Sequence, residues 1–167
     1  QYMPGKTTYL DTPVVPIAAF AGPGQYPLDC EYPDKTPMIS SATGVNGPWV
    51  PAASVPRSIS IVSAGSVTVP NPAHNGTTTP ATIARDYGFG ATPGSVTLNG
   101  VNLAINGWSD GSIGATIPAG TPNGTYQLTV TRGDNGVATK TGLSFTIGGG
   151  QPIRVPPGGS IQAAIDA

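Results

Sequence analysis

Between Arg85 and Ile147 the chain reads RDYGFG (85–90), SVTLNG (95–100), WSDGSIGATIP (108–118), GTYQLTVTRGDNG (124–136) and GLSFTI (142–147). Short runs rich in Val, Thr, Ile, Leu and Tyr alternate with Gly, Asn, Asp and Pro at intervals of roughly ten residues. This is the pattern of an all-β sandwich. Strands are expected at Thr82–Phe89, Ser95–Leu98, Val101–Trp108, Ser112–Ile117, Thr125–Thr131 and Ala138–Ile147. The pairs Asn99-Gly100, Asn106-Gly107, Asp110-Gly111 and Asn135-Gly136 supply residues that accept positive φ. Asn135-Gly136, between Leu128–Thr131 and Thr139–Phe145, marks the clearest hairpin.

Upstream, Thr36–Ala42 reads as a first strand. Val45–Arg57 is a Pro-rich connection that holds Trp49. Ser58–Val69 suits one or two strands with Gly65 at a bulge or turn. Asn71–Pro80 is a loop holding the single histidine, His74. Residues 1–33 form an extended Pro-rich arm whose run TPVVPIAAF (12–20) is broken by Pro13 and Pro16, which restricts it to an edge strand or a polyproline-like segment. The arm's apolar side chains, Val14, Val15, Ile17 and Phe20, need cover and are the expected contact with a neighbouring domain or an identical subunit. Downstream, residues 149–167 are a linker and a short helical cap fragment: Ser160 is a helix N-cap, with Ile161, Ala164 and Ile165 on one face. The sandwich itself is expected over residues 34–148.

The 24 Gly and 19 Pro bring the chain of 167 residues near the level at which disorder competes with folding. Seven Lys and Arg against eight Asp and Glu give little self-repulsion, and the apolar residues gather in strand-length runs, so a compact β domain is the better reading. A net charge of −1 with scattered cations is no footprint for nucleic acid or an anionic membrane. No apolar run approaches the roughly 20 residues that cross a bilayer. The chain carries no targeting or lipidation motif, starts at Gln1 and stops within a pattern, which is expected of a part of something longer. Cys30, the single cysteine, has no internal partner and is either a half-buried inert thiol or a residue that pairs outside the chain.

Pro37-Met38-Ile39, Gly88-Phe89-Gly90, SVTLNG (95–100), Trp108-Ser109-Asp110, IGATIP (113–118) and GTYQLTV (124–130) together resemble the IPT/TIG immunoglobulin-like domain, over about Pro37–Ile147. The order and spacing of these segments agree with that family, whereas Val45–Arg57 and the His74 loop sit where it has short connections. The tail IRVPPGGSIQAAIDA (153–167) resembles the N-terminal cap of a right-handed parallel β-helix. The arm resembles the segment that joins a Cna-B or SdrD-type surface domain to an IPT domain. These resemblances imply a non-catalytic spacer or adhesion module of a bacterial extracellular or cell-surface protein. The alternatives are a filament subunit assembled by strand addition through the arm, and a carbohydrate-binding accessory module of a β-helix polysaccharide-active enzyme. The IPT pattern carries no catalytic residue to transfer, and no cofactor is implied.

Among candidate sites, Asp29, Glu31 and Asp34 form the one carboxylate cluster. They are possible ligands for Ca²⁺, although a Pro-flanked arm is a poor place to raise a carboxyl pKa for catalysis. Asp110 with Asn106, and Asp134 with Asn135, are better read as turn caps than as cation ligands. Arg132-Gly133-Asp134 matches an integrin-binding triplet, but turn chemistry accounts for Gly133 and Asn135-Gly136. His74 lacks partners at metal or triad spacing. Asn75-Gly-Thr77 and Asn123-Gly-Thr125 fit the glycosylation sequon, which arises by chance in such loops. Of the aromatic residues able to stack on glycans, which include Tyr87 and Tyr126, Trp108 is assigned to the core and Trp49 to a surface contact.

Overall fold

The computed structural model describes residues 29–166. They fall into two units: residues 29–31 and 70–83 in the smaller, residues 32–69 and 84–166 in the larger. The fold is all-β. Its strands are β1 (Ile39–Thr43), β2 (Trp49–Val50), β3 (Arg57–Ser63), β4 (Ser66–Pro70), β5 (Thr82–Asp86), β6 (Ser95–Leu98), β7 (Val101–Asn102), β8 (Ala104–Trp108), β9 (Ser112–Ile117), β10 (Gly124–Thr131) and β11 (Leu143–Ile147), followed by helix α1 (Ile161–Ile165). No described helix is long and apolar enough to cross a membrane.

The larger unit is a sandwich of a four-stranded sheet, in the order β1-β3-β9-β8, and a five-stranded sheet, in the order β2-β11-β10-β6-β7. Pairing is antiparallel except between β2 and β11. The sequence alternation decides which side chains turn inward. In the first sheet Ile59 lies opposite Ala115 and Ile61 opposite Ile113; in the second Leu128 lies opposite Leu98 and Val130 opposite Val96. These residues join Val50, Phe89, Leu103, Phe145 and Ile147 in one core. Fully burying a Phe or Leu side chain contributes about 1.5–3 kcal/mol. β4 and β5 form a separate two-stranded ribbon.

β6 and β9 occupy the expected residues. The expected runs Thr82–Phe89 and Ala138–Ile147 shorten to β5 and β11, and three further assignments change. β2 lies inside what reads as an irregular connection; at two residues it is too short to give an alternation signal. The run 101–108 is two strands: β7 pairs with β6 in one sheet, β8 pairs with β9 in the other, and buried Leu103 makes the crossing. Of the four Asn-Gly and Asp-Gly pairs, Asn99 and Gly100 both have positive φ (45° and 82°), as a two-residue hairpin turn requires. Gly136 also has positive φ (69°), but Asn106-Gly107 lies within β8, and Asp110-Gly111 uses ordinary φ values. Val14, Val15, Ile17 and Phe20 lie outside the described residues.

The sandwich edges are short or irregular. β2 and β7 have two residues each. β1 breaks register between Ile39 and Ser41, and β8 between Ile105 and Gly107. Such breaks blunt an edge against the addition of a foreign strand.

Candidate functional site

Two carboxylates of the larger unit, Asp86 and Asp134, converge on Arg132, at the end of β10. Its side chain is only 4% exposed and is fully engaged. Nε and Nη2 donate to the two carboxylate oxygens of Asp134, each at 2.9 Å. Nη1 donates to Asp86 Oδ2 and to the Gly88 carbonyl oxygen, each at 3.0 Å. This fork on a carboxylate is the geometry that guanidinium supplies and ammonium does not. The arrangement ties the end of β5, the Gly88 turn and the β10–β11 hairpin together. Asn135 Nδ2 adds a bond to the Lys35 carbonyl at 3.0 Å, and Asp34 Oδ1 accepts the Asp86 amide at 2.7 Å. Nearby, Arg85 Nη1 and the Tyr87 hydroxyl both donate to the Tyr32 carbonyl, at 2.6 and 2.9 Å.

In Arg132-Gly133-Asp134 the arginine therefore points inward and holds the turn. Bonds from Arg132 keep the Asp134 carboxyl below the usual carboxylate range, and its two carboxylate partners raise the arginine. Because the Asp134 pKa is lowered on folding, its stabilisation is present above its ordinary value near 3.8 and is lost as pH falls through the depressed one. The stability difference between the wild type and Asp134→Asn is expected to stay constant around neutrality and to shrink below about pH 4. Urea titrations across that range measure it.

A second cluster forms around Phe89, the fully buried centre of Gly88-Phe89-Gly90. Asp110 accepts the Phe89 amide with its backbone oxygen and the Gly90 amide with Oδ1, both at 2.8 Å. Trp108 Nε1 donates to the Gly90 carbonyl at 2.8 Å, and its ring packs beside Phe89 at 6.3 Å between centroids. Asp110 is thus a turn cap, and Trp108 a half-buried core aromatic. Asn106 donates to Thr116 Oγ1 at 2.7 Å, and Asn135 Oδ1 accepts the Val137 amide at 2.9 Å. The Tyr126 hydroxyl donates to the Pro122 carbonyl at 2.8 Å.

Trp49, expected at the surface, is corrected to the interior. It is 6% exposed, sits in β2 beside β11, and donates from Nε1 to the Gly148 carbonyl at 2.8 Å. No face of its ring is open for stacking. Trp49→Phe keeps a ring but strands that buried carbonyl, and a loss of about 1–3 kcal/mol is expected in chemical denaturation.

Of the sequence cluster, the Asp29 and Asp34 carboxylates each accept a backbone amide. Asp29 Oδ1 accepts the Glu31 amide at 3.3 Å, and Asp34 holds the Asp86 amide. Among the described residues no group of three or more His, Cys, Asp or Glu is gathered in a way able to hold a metal ion. Cys30 is exposed, which corrects the half-buried thiol.

In the smaller unit, Asn75 Oδ1 accepts the amides of Thr77, Thr78 and Thr79 at 2.9–3.1 Å. Its Nδ2 bonds Thr78 Oγ1 at 2.6 Å, so the first sequon asparagine is the organiser of its own loop. His74 Nδ1 lies 2.7 Å from the Thr79 carbonyl oxygen and fastens the same loop.

The tail differs from the sandwich. Asn46 Nδ2 holds the Pro152 carbonyl at 2.8 Å. Ser160 caps α1 by accepting the Ala163 amide at 3.2 Å, as the sequence predicts. No residue of α1 is buried: Ile161 and Ile165 are 69% and 71% exposed.

The buried role of Arg132 escapes a sequence reading, because a lone arginine after a strand normally signals solvent. The one available cue is a carboxylate two residues on, within a Gly-rich turn. No protein-family model and no curated protein matches this chain.

Proposed function

We propose that this chain is a non-catalytic connecting module: an immunoglobulin-like sandwich of the IPT/TIG kind that spaces and joins neighbouring domains of a bacterial extracellular or cell-surface protein. The observation that carries the reading is the tail. It is fastened to the β1–β2 loop through Asn46 and leads into a capped helix whose Ile161 and Ile165 are left largely exposed. Exposing two isoleucines side by side is unfavourable unless another layer covers them, and the first turns of a following domain supply that layer. The polar groups of the larger unit support the same reading. Asp34, Asp86, Asp110, Arg132 and Asp134 each fasten a turn, which suits a module that resists deformation.

The blunted edges weigh against the filament alternative, since an added strand needs a long regular edge. Light scattering of the chain with and without residues 1–33 tests the proposal. Monomers in both forms are expected. Polymers that vanish on deleting the arm would replace the spacer with a strand-addition subunit.

A further inference from the structure

The two sheets of the sandwich comprise nine strands, and a single charged residue occurs in them, Arg57, which shares the inward parity of Ile59 and Ile61. Apart from the exposed Val62 in β3 and Val101 in β7, most outward positions are hydroxyl and amide side chains. On the five-stranded sheet they form a continuous array across β6, β10 and β11. Thr97 faces Thr129, with the hydroxyl oxygens 2.7 Å apart; Thr125 faces Thr146, at 3.2 Å; Gln127 lies opposite Ser144. Thr125, Gln127 and Ser144 are exposed. While the Gln127 backbone N–H donates to Asn99 Oδ1 at 2.6 Å, its side-chain carboxamide makes no hydrogen bond among the described residues. Each paired threonine hydroxyl retains bonding capacity, since one oxygen both donates and accepts.

We infer that this face binds an uncharged polysaccharide. Three properties select that partner. An array without charge has no attraction for polyanions or polycations and no ion to desolvate, so its complement is neutral. Hydroxyls and a carboxamide offer donors and acceptors interchangeably, as a chain of sugar hydroxyls does, while the threonine methyls lie beside them as C–H groups lie beside O–H groups on a pyranose. Size decides against a second copy of the chain. Two strand spacings of about 4.8 Å and four residue rises of about 3.4 Å give a patch on the order of 10 by 14 Å, well short of the roughly 800 Å² per partner of a stable protein interface. A small flat site is adequate for a polymer, which gains strength through repetition.

Affinity electrophoresis of the whole chain in gels containing laminarin, hydroxyethyl cellulose or dextran tests the inference, with polygalacturonate as the charged control. Retardation by at least one neutral glycan is expected, unchanged between about 50 and about 500 mM salt. The paired substitution Thr97→Val/Thr129→Val removes both members of a hydrogen-bonded pair and preserves shape and β-propensity. It is expected to weaken retardation about tenfold with little change in thermal midpoint. Gln127→Ala, at an exposed position, weakens it in a second way that does not challenge folding. The inference is overturned by the absence of retardation in all three neutral gels, by equal retardation of both variants, or by retardation that salt or polygalacturonate controls. A concentration-dependent dimer that the paired substitution abolishes overturns it as well, by making the face a self-contact.

Discussion

Arg132→Ala is expected to lower the unfolding free energy by about 2–4 kcal/mol, a large part of the 5–15 kcal/mol that holds a typical domain folded. The side chain is buried, and four of its hydrogen bonds are lost together: two to Asp134, one to Asp86 and one to the Gly88 carbonyl. The Gly88 oxygen is then left without this donor. Asp86 and Asp134 keep partial access to water, at 38% and 34% side-chain exposure, so the penalty stops short of that for a carboxylate stranded in a dry core. Arg132→Lys is also expected to destabilise, because an ammonium cannot place parallel bonds on Asp134 while reaching Asp86 and Gly88. Guanidinium titrations of the two variants measure both effects. If Arg132→Lys equals the wild type, the fork geometry contributes nothing and charge alone matters.

The same residue shows where sequence reading succeeds and where it stops. The strands of the sandwich were legible because each buries one face, so β9 reads as alternation in Ser-Ile-Gly-Ala-Thr-Ile, and β6 likewise in Ser-Val-Thr-Leu. The turn at Asn99-Gly100 was legible because the two residues must enter positive φ. β2 was not, since its pairing with β11 is fixed by a partner almost a hundred residues away and leaves no local period. The split at Leu103 was hidden for a related reason: alternation reports which side is buried, and gives no sign of a change of sheet.

For the candidate site, residue type alone misled at Trp49, because a Pro-rich stretch was equated with a surface loop. The Gly148 carbonyl that receives its indole N–H comes from the far end of the domain. Asp110 was legible as a turn cap, although the amide it caps, that of Gly90, lies twenty residues earlier. Long-range polar partners leave little trace in a single sequence, and the site around Arg132 consists almost entirely of them.

Gly94→Ala is expected to be at least as damaging as the loss of Arg132, at about 3–5 kcal/mol, with Gly133→Ala close behind. Neither glycine is needed for positive φ. Each is needed because two backbone segments touch. A Cβ at Gly94 would run into the Thr131 carbonyl oxygen and lie 2.7 Å from the Gly133 amide nitrogen, and a Cβ at Gly133 would run into the Pro93 carbonyl oxygen. All of these atoms are backbone, so no rotamer change relieves the contact, and the turn at 92–94 must separate from the β10–β11 hairpin. This revises the origin of Gly133 within Arg-Gly-Asp: close approach requires it, while turn conformation requires Gly136. The separation would also disturb Arg132, which lies between Thr131 and Gly133. The two losses should therefore combine less than additively in Gly94→Ala/Arg132→Ala, since one rearrangement serves both. Gly107→Ala is the control: it has open space around the new Cβ and an ordinary φ, so a change within about 0.5 kcal/mol is expected. Thermal and chemical denaturation of the set would decide the matter, and equal stabilities for Gly94→Ala and Gly107→Ala would mean that the 92–94 turn moves aside at no cost.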